Sequence, residues 1–485
     1  MTNQALNQTT SERWGAGLAP IALLLAGAVF LLMMLVGLLM RSAQGNLVVV
    51  DPVLFYQLMT AHGVGMVGAA GLSGAAVMWY FLGRHVPLST TVFAIFLGLF
   101  LLGVVLILGA IFVGGFAAAW TFLYPLPAHS GGAWSDNAAV AFLCGLVSIG
   151  VGFLLFYLEA GRAILARYGS LPKAMAWPLA FTGKMDDVPP PTVIASTAVI
   201  IFNSLGIVVG AAVLVISLIN LLVPTFAVDA LLAKNMIYFF GHVFINASIY
   251  MAVIGVYEVI PEYTGRPWKS SRAFAIAWTA ILLFVLSVYP HHLMQDTVMP
   301  GWALILGQVV SYLSAIPVLA VTAFGLLGNV RGSGMRWDLA SSLLFIGVFG
   351  WSIGVVPAVV DGVISANKLM HNTQWVPGHF HTYLLLGEVA MSFGVMAWLV
   401  RNREQATFNG LDRTAFWAYV AGSLGFILVL LTAGAMSVPR RWAVHAPEWI
   451  AQDRISSLFA FVIVLGATYF VVRYAIRLVT ANGAR

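Results

Sequence analysis

Long apolar segments alternate with short polar connections along the whole chain. Twelve segments of about 20 or more mostly apolar residues recur, which is the length that an α-helix needs to cross a hydrocarbon core of about 30 Å. They lie near residues 17–40, 56–82, 91–114, 138–161, 193–223, 235–260, 272–292, 301–327, 340–364, 375–400, 414–436 and 456–479. The pattern predicts an all-α integral membrane protein with twelve transmembrane helices.

No repeat of fixed period, low-complexity tract or charged linker interrupts this pattern, so we predict one membrane-embedded domain over residues 1–485. The composition agrees, because 61% of the residues are hydrophobic and 8% are charged. Such a composition excludes an ordinary water-soluble globular domain. The first segment has no small-residue cleavage pattern, and we expect a retained helix rather than a signal peptide.

Most of the 23 Lys and Arg residues share one side of the predicted bundle when both termini and the even-numbered connections are placed there. The opposite side holds only Arg41, Lys234, Lys368, Arg440, Arg441 and Arg454. By the positive-inside rule, both termini are then expected in the cytoplasm. Topology therefore explains the net charge of +6, and no nucleic-acid partner is expected.

Six of the ten histidines lie within predicted membrane spans: His62, His242, His291, His292, His379 and His381. A single intramembrane histidine is more often a hydrogen-bonded packing residue. Six together indicate ligation, because ionisable groups are costly in a bilayer and usually functional. Imidazole is a common ligand of both copper and haem iron.

The spacing of these histidines predicts how they are shared. His379 and His381 are two residues apart, so they project from nearly opposite faces of the tenth helix, which can bind one haem on each side. His62, near the outer end of the second helix, can supply the second axial ligand of a low-spin haem.

A separate metal site is predicted at the outer end of the seventh helix. His291 and His292 follow Pro290, and a proline-distorted helix end could aim both at one metal. His242 on the sixth helix would complete a site of three imidazoles. All these positions lie in the outer halves of their helices, in agreement with the orientation from Lys and Arg.

These residues and their order resemble the catalytic subunit of the haem-copper oxidase superfamily over nearly the whole chain. The run from His371 to His381 and the segment Val438-Pro-Arg-Arg441 are most similar to the B-type oxidases. The resemblance implies that a low-spin haem, expected to be of b type, binds to His62 and His381. It also implies a high-spin haem of b, a or o type on His379. The expected copper ligands are His242, His291 and His292.

The resemblance implies that Arg440 and Arg441 pair with haem propionates, for which paired guanidinium groups are suited. Simple interfacial anchoring of the two arginines remains an alternative. His371 is similar to the propionate-proximal histidine of the family, although a surface role is nearly as plausible.

The partners are also implied by the resemblance. Cys144 is the single cysteine, so this chain alone cannot form the two-cysteine site that holds binuclear copper. A cupredoxin-like second subunit would carry that site and receive electrons from cytochrome c or a cupredoxin. The expected location is the inner (plasma) membrane of a bacterium or archaeon.

One position departs from the oxygen-reducing members of the superfamily. A- and B-type oxygen reductases have a tyrosine four residues after the copper ligand of the sixth helix, where this chain has Asn246. The tyrosine of the C-type enzymes corresponds here to Val285. In the family that tyrosine supplies the fourth electron for cleavage of O2, whereas coupling two NO molecules to N2O takes only two electrons and two protons.

We therefore predict a nitric oxide reductase, similar to the copper-containing ones related to B-type oxidases. Asn246 is expected to hydrogen-bond to the reacting nitrogen oxide, and a role in helix packing is the alternative. No carboxylate stands next to His242 or His291 in the sequence, which favours copper over a harder iron ion. The alternative is an oxygen reductase that takes its fourth electron elsewhere, for instance from Tyr250, Tyr289 or Trp375. A haem-bearing sensor or electron conduit without catalysis is a weaker alternative.

The proton route of the B-type family is expected to be weakened. Its hydroxyl positions after the proline of the eighth helix, Pro317, are here Val318 and Val321, and its acidic residue before the propionate-proximal histidine is Asn367. We expect substrate protons to use another route, and Glu388 in the tenth helix is a candidate member of it.

Overall fold

The computed structural model describes residues 10–314, 316–401 and 408–483. Within these residues, 12 helical segments are long and apolar enough to cross a membrane. They are α1 Gly17–Gln44, α2 Pro52–Leu82, α3 Thr90–Phe112, α4 Asp136–Tyr168, α5 Pro191–Leu222, α6 Ala230–Thr264, α7 Arg272–Leu293, α8 Gly301–Val330, α9 Leu339–Asp361, α10 Trp375–Leu399, α11 Gly410–Ala435 and α12 Pro447–Thr480. The predicted fold class is confirmed.

Three of these helices form the centre of the bundle. The most apolar stretch is 72% buried in α2 and 83% buried in α6 and α10, against 18% in α8. Buried positions away from lipid can carry polar side chains when neighbouring helices satisfy them. The helices that carry His62, His242, His379 and His381 are therefore the innermost ones.

Helix α10 packs closely on α9 through a row of glycines. Gly347, Gly350 and Gly354 repeat at helical spacing, and a methyl group on Gly350 would lie 2.5 Å from the carbonyl oxygen of Leu386. Small residues at such a contact let two helix backbones approach each other. At this contact α10 changes from an α-helix over Trp375–His381 to a π-helix over Thr382–Val389.

The outer end of α7 departs from a regular helix. The α-helix ends at Ser287, and a 3-10 turn follows over Tyr289–Leu293. Pro290 lies in this turn and cannot donate a backbone hydrogen bond, which accounts for the break in the α-helical pattern. The predicted proline-distorted end of the seventh helix is present.

The connection between α3 and α4 covers the face of the bundle that is predicted to be the outer one and is called the outer face below. Phe116 stacks on Phe142, with ring centroids 4.1 Å apart. Trp120 reaches deeper and lies against Gly63 and Gly241, the residues next to His62 and His242 in the sequence. This cap encloses the outer ends of α2 and α6.

Candidate metal and haem sites

Three histidines meet at the outer ends of α6 and α7. Nδ1 of His242 lies 3.1 Å from Nε2 of His292, and the rings of His242 and His291 have centroids 4.8 Å apart. One ligand atom from each of the three histidines lies within 4.8 Å of the others. Imidazole nitrogens that bind one ion at about 2.0–2.1 Å are separated by roughly 3.3–3.6 Å, so the cluster fits a single metal ion.

A serine of α8 orients one of these ligands. Ser311 Oγ lies 2.6 Å from Nδ1 of His291 and donates its own hydrogen to the carbonyl oxygen of Gly307, also at 2.6 Å. Because the hydroxyl hydrogen is already used, Nδ1 of His291 must donate, and Nε2 remains free for a metal. Such outer hydrogen bonds fix the tautomer and the orientation of a ligand.

The Ser311→Ala variant is expected to bind copper about 10-fold more weakly, because loss of an outer partner typically costs about 10–100-fold in metal affinity. Competition with a copper chelator, followed by metal analysis, measures this change. Ser314→Ala is the matched control, since Ser314 donates to the backbone of Ser311 and does not contact His291. Equal copper affinity in both variants would show that Ser311 does not hold His291.

His62 and His381 face each other across a gap between α2 and α10. Their ring centroids are 6.4 Å apart and their planes differ by 19°. Nδ1 of His62 donates to the carbonyl of Met33 at 2.7 Å, and Nδ1 of His381 donates to that of Pro377 at 2.6 Å. Two imidazoles on opposite sides of one metal, each at about 2 Å, have ring centres roughly 6 Å apart. The pair therefore fits the two axial positions of a low-spin haem.

His379 lies on the other side of α10 from this pair. It interacts electrostatically with His242 and His291, which places it on the side of the three-histidine cluster. Its ring interacts with the backbone of Gly354, and its buried Nδ1 has no hydrogen-bond partner of regular geometry among the described residues. As expected from the spacing, one helix directs its two histidines towards two different sites.

Arg440 and His371 meet at the outer face, where Arg440 is partly buried and Arg441 is exposed. The Arg440 backbone N–H donates to the Asn372 carbonyl at 3.0 Å. Burial, and then the charges of Arg440 and Arg441, lower the pKa of His371 to about 4, so this imidazole is neutral at pH 7. Burial and the neighbouring Arg441 lower the pKa of Arg440 to about 10, which leaves it charged. Two guanidinium groups at this face fit haem propionates.

A buried polar cluster anchors the loop that carries these arginines. Arg41 of α1 pairs with Asp453 of α12 at 3.0 Å, and His445 lies 2.7 Å from the same carboxylate. Gln44 donates to the carbonyl of Trp442 at 2.7 Å. The loop after α11 is therefore tied to both terminal helices, which holds Arg440 in place. The sequence analysis did not single out this cluster.

The chain was compared with known proteins. The family model for cytochrome c and quinol oxidase polypeptide I matches residues 18–469. This chain belongs to that family. It is thus a multi-pass membrane haem-copper oxidoreductase of the respiratory chain type, and the resemblance to the haem-copper oxidase superfamily is confirmed.

Relatives of known identity are oxidase subunits. Cytochrome c oxidase subunit 1 of Synechocystis is 26% identical over 438 residues, which is 87% of this chain and 76% of that protein. Cytochrome c oxidase subunit 1 of Thermus thermophilus is 24% identical over 80% of this chain and 69% of that protein. A cbb3-type cytochrome c oxidase subunit of Stutzerimonas stutzeri is 28% identical over 41% of this chain and 42% of its own length.

A solved structure gives the same fold. The cryo-EM structure of a heme-copper terminal oxidase dimer superposes with a TM-score of 0.81 and 19% sequence identity, covering 96% of this chain and 84% of that one. Haems and copper are the cofactors that family membership implies, and the histidines described above provide sites that fit them.

Asn246 lies beside the three-histidine cluster, one helical turn below His242. Its Nδ2 donates to the carbonyl oxygen of His242 at 2.9 Å. This hydrogen bond holds the Asn246 amide against the backbone of α6 and uses one of the two hydrogens of the amide nitrogen. The second hydrogen and the amide oxygen can still face a ligand.

Of the three aromatic residues considered as electron donors, Tyr289 and Trp375 have their polar atoms bound to groups outside the cluster. Tyr289 donates to Asn235 Oδ1 at 3.0 Å, and Trp375 donates to the carbonyl of Pro357 at 3.2 Å. Tyr250 packs against Trp278, with ring centroids 5.3 Å apart.

Tyr238, which the sequence analysis missed, stacks on His292 with ring centroids 5.3 Å apart and planes within 14°. It precedes His242 by four residues, so both side chains share one face of α6. That spacing was the available signal.

Two contacts bear on the proton route, which stays a prediction. Tyr257 forms a hydrogen bond of 2.7 Å with Thr322, one residue after Val321, so a hydroxyl partner persists on α8. Asn367 donates to the Asp361 carboxylate at 3.2 Å and to its carbonyl at 2.8 Å. An acidic group thus lies beside position 367, supplied by the end of α9.

Proposed function

We propose that this chain is the catalytic subunit of a nitric oxide reductase, which converts two NO, two electrons and two protons into N2O and water. The observation that carries the proposal is Asn246, hydrogen-bonded to the His242 carbonyl at 2.9 Å in the position where oxygen-reducing relatives have a tyrosine. Without that phenol, the four-electron cleavage of O2 lacks one electron and one proton. The two-electron coupling of NO lacks neither.

The chain would hold its cofactors through histidines. His62 and His381 would bind a low-spin haem of b type, and His379 a high-spin haem. Three neutral imidazoles without a neighbouring carboxylate suit copper, so the second metal is expected to be copper on His242, His291 and His292. When bound, these groups would deliver electrons singly and bind the gas.

Around that centre, other side chains would orient the metal ligands and the reacting NO and would enclose the cluster. Ser311 keeps Nε2 of His291 available to the metal. The free N–H of Asn246 would donate to the oxygen of the reacting NO, where negative charge develops. The outer cap with Trp120 limits access of water to the cluster.

Electrons would enter at the outer face. With both termini in the cytoplasm, the loop of Arg440 and Arg441 faces the opposite side of the membrane. A cupredoxin-like second subunit that carries binuclear copper would dock there and receive electrons from cytochrome c or a cupredoxin.

Reduction of O2 to water is the second candidate, and the relatives favour it more directly, since they are named as subunits of cytochrome c oxidases. Tyr238 is the observation in this structure that supports it, because its ring stacks on His292 and could replace the missing tyrosine as donor. In that case the Tyr238→Phe variant would lose O2 reduction while retaining copper.

Side-by-side turnover of the purified, fully reduced complex with NO and with O2 decides between the two. Fast NO consumption that yields one N2O for every two NO, with slow O2 reduction, supports the proposal. Fast and complete O2 reduction with little N2O would overturn it and support the second candidate.

The Asn246→Ala variant is expected to lower NO turnover about 10-fold at unchanged copper and haem content, because one hydrogen bond to the developing charge is lost. The rate of N2O production measures the effect. Asn220→Ala is the matched control, since that amide binds the carbonyl of Phe226 at the end of α5. Unchanged NO turnover in the Asn246 variant would assign this residue to helix packing alone.

A further inference from the structure

Glu388 is a fully buried carboxyl group in the helix that carries both haem histidines. It is 0% exposed and lies in the π-helical segment of α10. Its Oε2 accepts a hydrogen bond of 3.0 Å from Ser248 of α6, and its Oε1 has no partner. Among the described residues, no Lys, Arg or His forms an ion pair with it.

The helices packed on this segment present uncharged groups. From α2, Ser73 accepts a hydrogen bond of 3.0 Å from Ser392 of α10. From α9, Trp351 packs on the segment, and from α11 the hydroxyl of Tyr419 donates to the Leu385 carbonyl at 2.5 Å. Tyr419 is the titratable group among these neighbours, and its hydrogen is already committed. The surroundings therefore offer hydroxyl groups and no compensating charge.

The position of Glu388 relates it to the three-histidine cluster and to the haem sites. It lies where α10 meets α6, the helix of His242, and α2, the helix of His62. It follows His381 by seven residues, which is roughly 10 Å along the helix axis towards the cytoplasmic side. In a low-dielectric interior, charges at such separations interact far more strongly than in water. The protonation of this carboxyl group must then respond to each electron that enters the haem sites.

We propose that Glu388 is a redox-linked proton-binding site. Before reduction, the positive charge of oxidised haem iron would stabilise the Glu388 carboxylate against the cost of its burial. When an electron arrives from the donor protein, this carboxylate binds one proton taken up from water, so that the added negative charge is balanced. When the electron passes to the substrate, the O–H bond of the carboxyl group breaks and the proton is released for the reaction. The inference rests on the haem sites of the proposed function, but not on which gas is reduced.

Reduced-minus-oxidised infrared difference spectroscopy of the complete complex, without NO or O2, tests the inference. The complex should show a carboxylic C=O band that moves in D2O and is absent in Glu388→Gln. Ser248→Ala should shift this band to higher frequency, because it removes the hydrogen bond to Oε2. Ser392→Ala is the matched control, since its hydroxyl contacts the Glu388 backbone carbonyl and not the carboxyl oxygens.

A redox titration of the haems at several pH values gives a second measurement. If Glu388 binds the proton, the pH dependence of the haem midpoint potential should fall by about half or more in Glu388→Gln. A purely structural role would leave this dependence unchanged. Glu388→Asp, which keeps a carboxyl group, should restore part of it.

The proton-binding role of Glu388 and the identity of the reduced gas are tested by different measurements. If the visible spectra show both haems in place but the infrared band and the pH dependence are the same in Glu388→Gln as in the parent complex, the inference about Glu388 is overturned. If the Glu388→Gln complex does not assemble, the shift in Ser248→Ala decides, and an unshifted band is then the contradicting result. The substrate proposal stands or falls only on the turnover of NO and O2.

Discussion

Replacement of His291 by Ala is expected to leave the purified complex without copper while both haems remain bound. Each of the three imidazoles offers one nitrogen, and these nitrogens lie within 4.8 Å of one another. The two imidazoles that remain in the variant cannot hold the ion against a chelator. Turnover should fall by more than about 100-fold, beyond the range of about 10–100-fold typical for loss of an outer partner. Copper per chain, measured by mass spectrometry, and haem per chain, measured by absorbance, give the result.

The exposed His129 of the outer cap provides the control for this variant. It is a histidine of the same face, but its backbone N–H makes a turn hydrogen bond and its ring lies in solvent. His129→Ala should therefore retain copper and turnover. A His291 variant that keeps one copper per chain would contradict the assignment of the cluster as the copper site.

The sequence predicted the membrane helices because apolar length alone determines which segments cross a bilayer. It underestimated the length of the helices that continue beyond the bilayer. Helix α4, predicted over 138–161, runs over Asp136–Tyr168 and stops at Gly169, whose φ of 77° ends the helix. In this extension Arg162 pairs with Glu159 at 2.7 Å. Such solvated turns lack the apolar pattern on which the prediction depended.

The histidines that the structure brings together could also be predicted, since histidine within a bilayer is costly and its spacing determines the face of a helix. Their supports could not, because they come from other helices. Ser311 reaches His291 only through the packing of α8 against the end of α7. This packing is close, because a methyl group added to Gly307 would lie 2.8 Å from the backbone nitrogen of His291.

The π-helical segment of α10 was beyond the reach of sequence periodicity. A regular α-helix places residues at 100° intervals, whereas the segment Thr382–Val389 has a wider turn and rotates every residue after it. This rotation sets which way Glu388 points. The sequence could therefore identify the carboxyl group as buried and costly, but not its contact with Ser248.

Replacement of His381 by Ala is expected to remove the low-spin haem selectively. His62 and His381 are spaced as two axial ligands, with ring centroids 6.4 Å apart, and an alanine leaves the iron with one ligand. The low-spin absorption bands should disappear and haem per chain should fall from two to one, while copper stays. Electron delivery from the outer face would then fail, and turnover with NO should drop to background. His62→Ala should give the same spectrum, because both residues serve one iron, whereas His379→Ala should instead remove the high-spin signal. Loss of the same bands in all three variants would contradict a division of the two histidines of α10 between two haems.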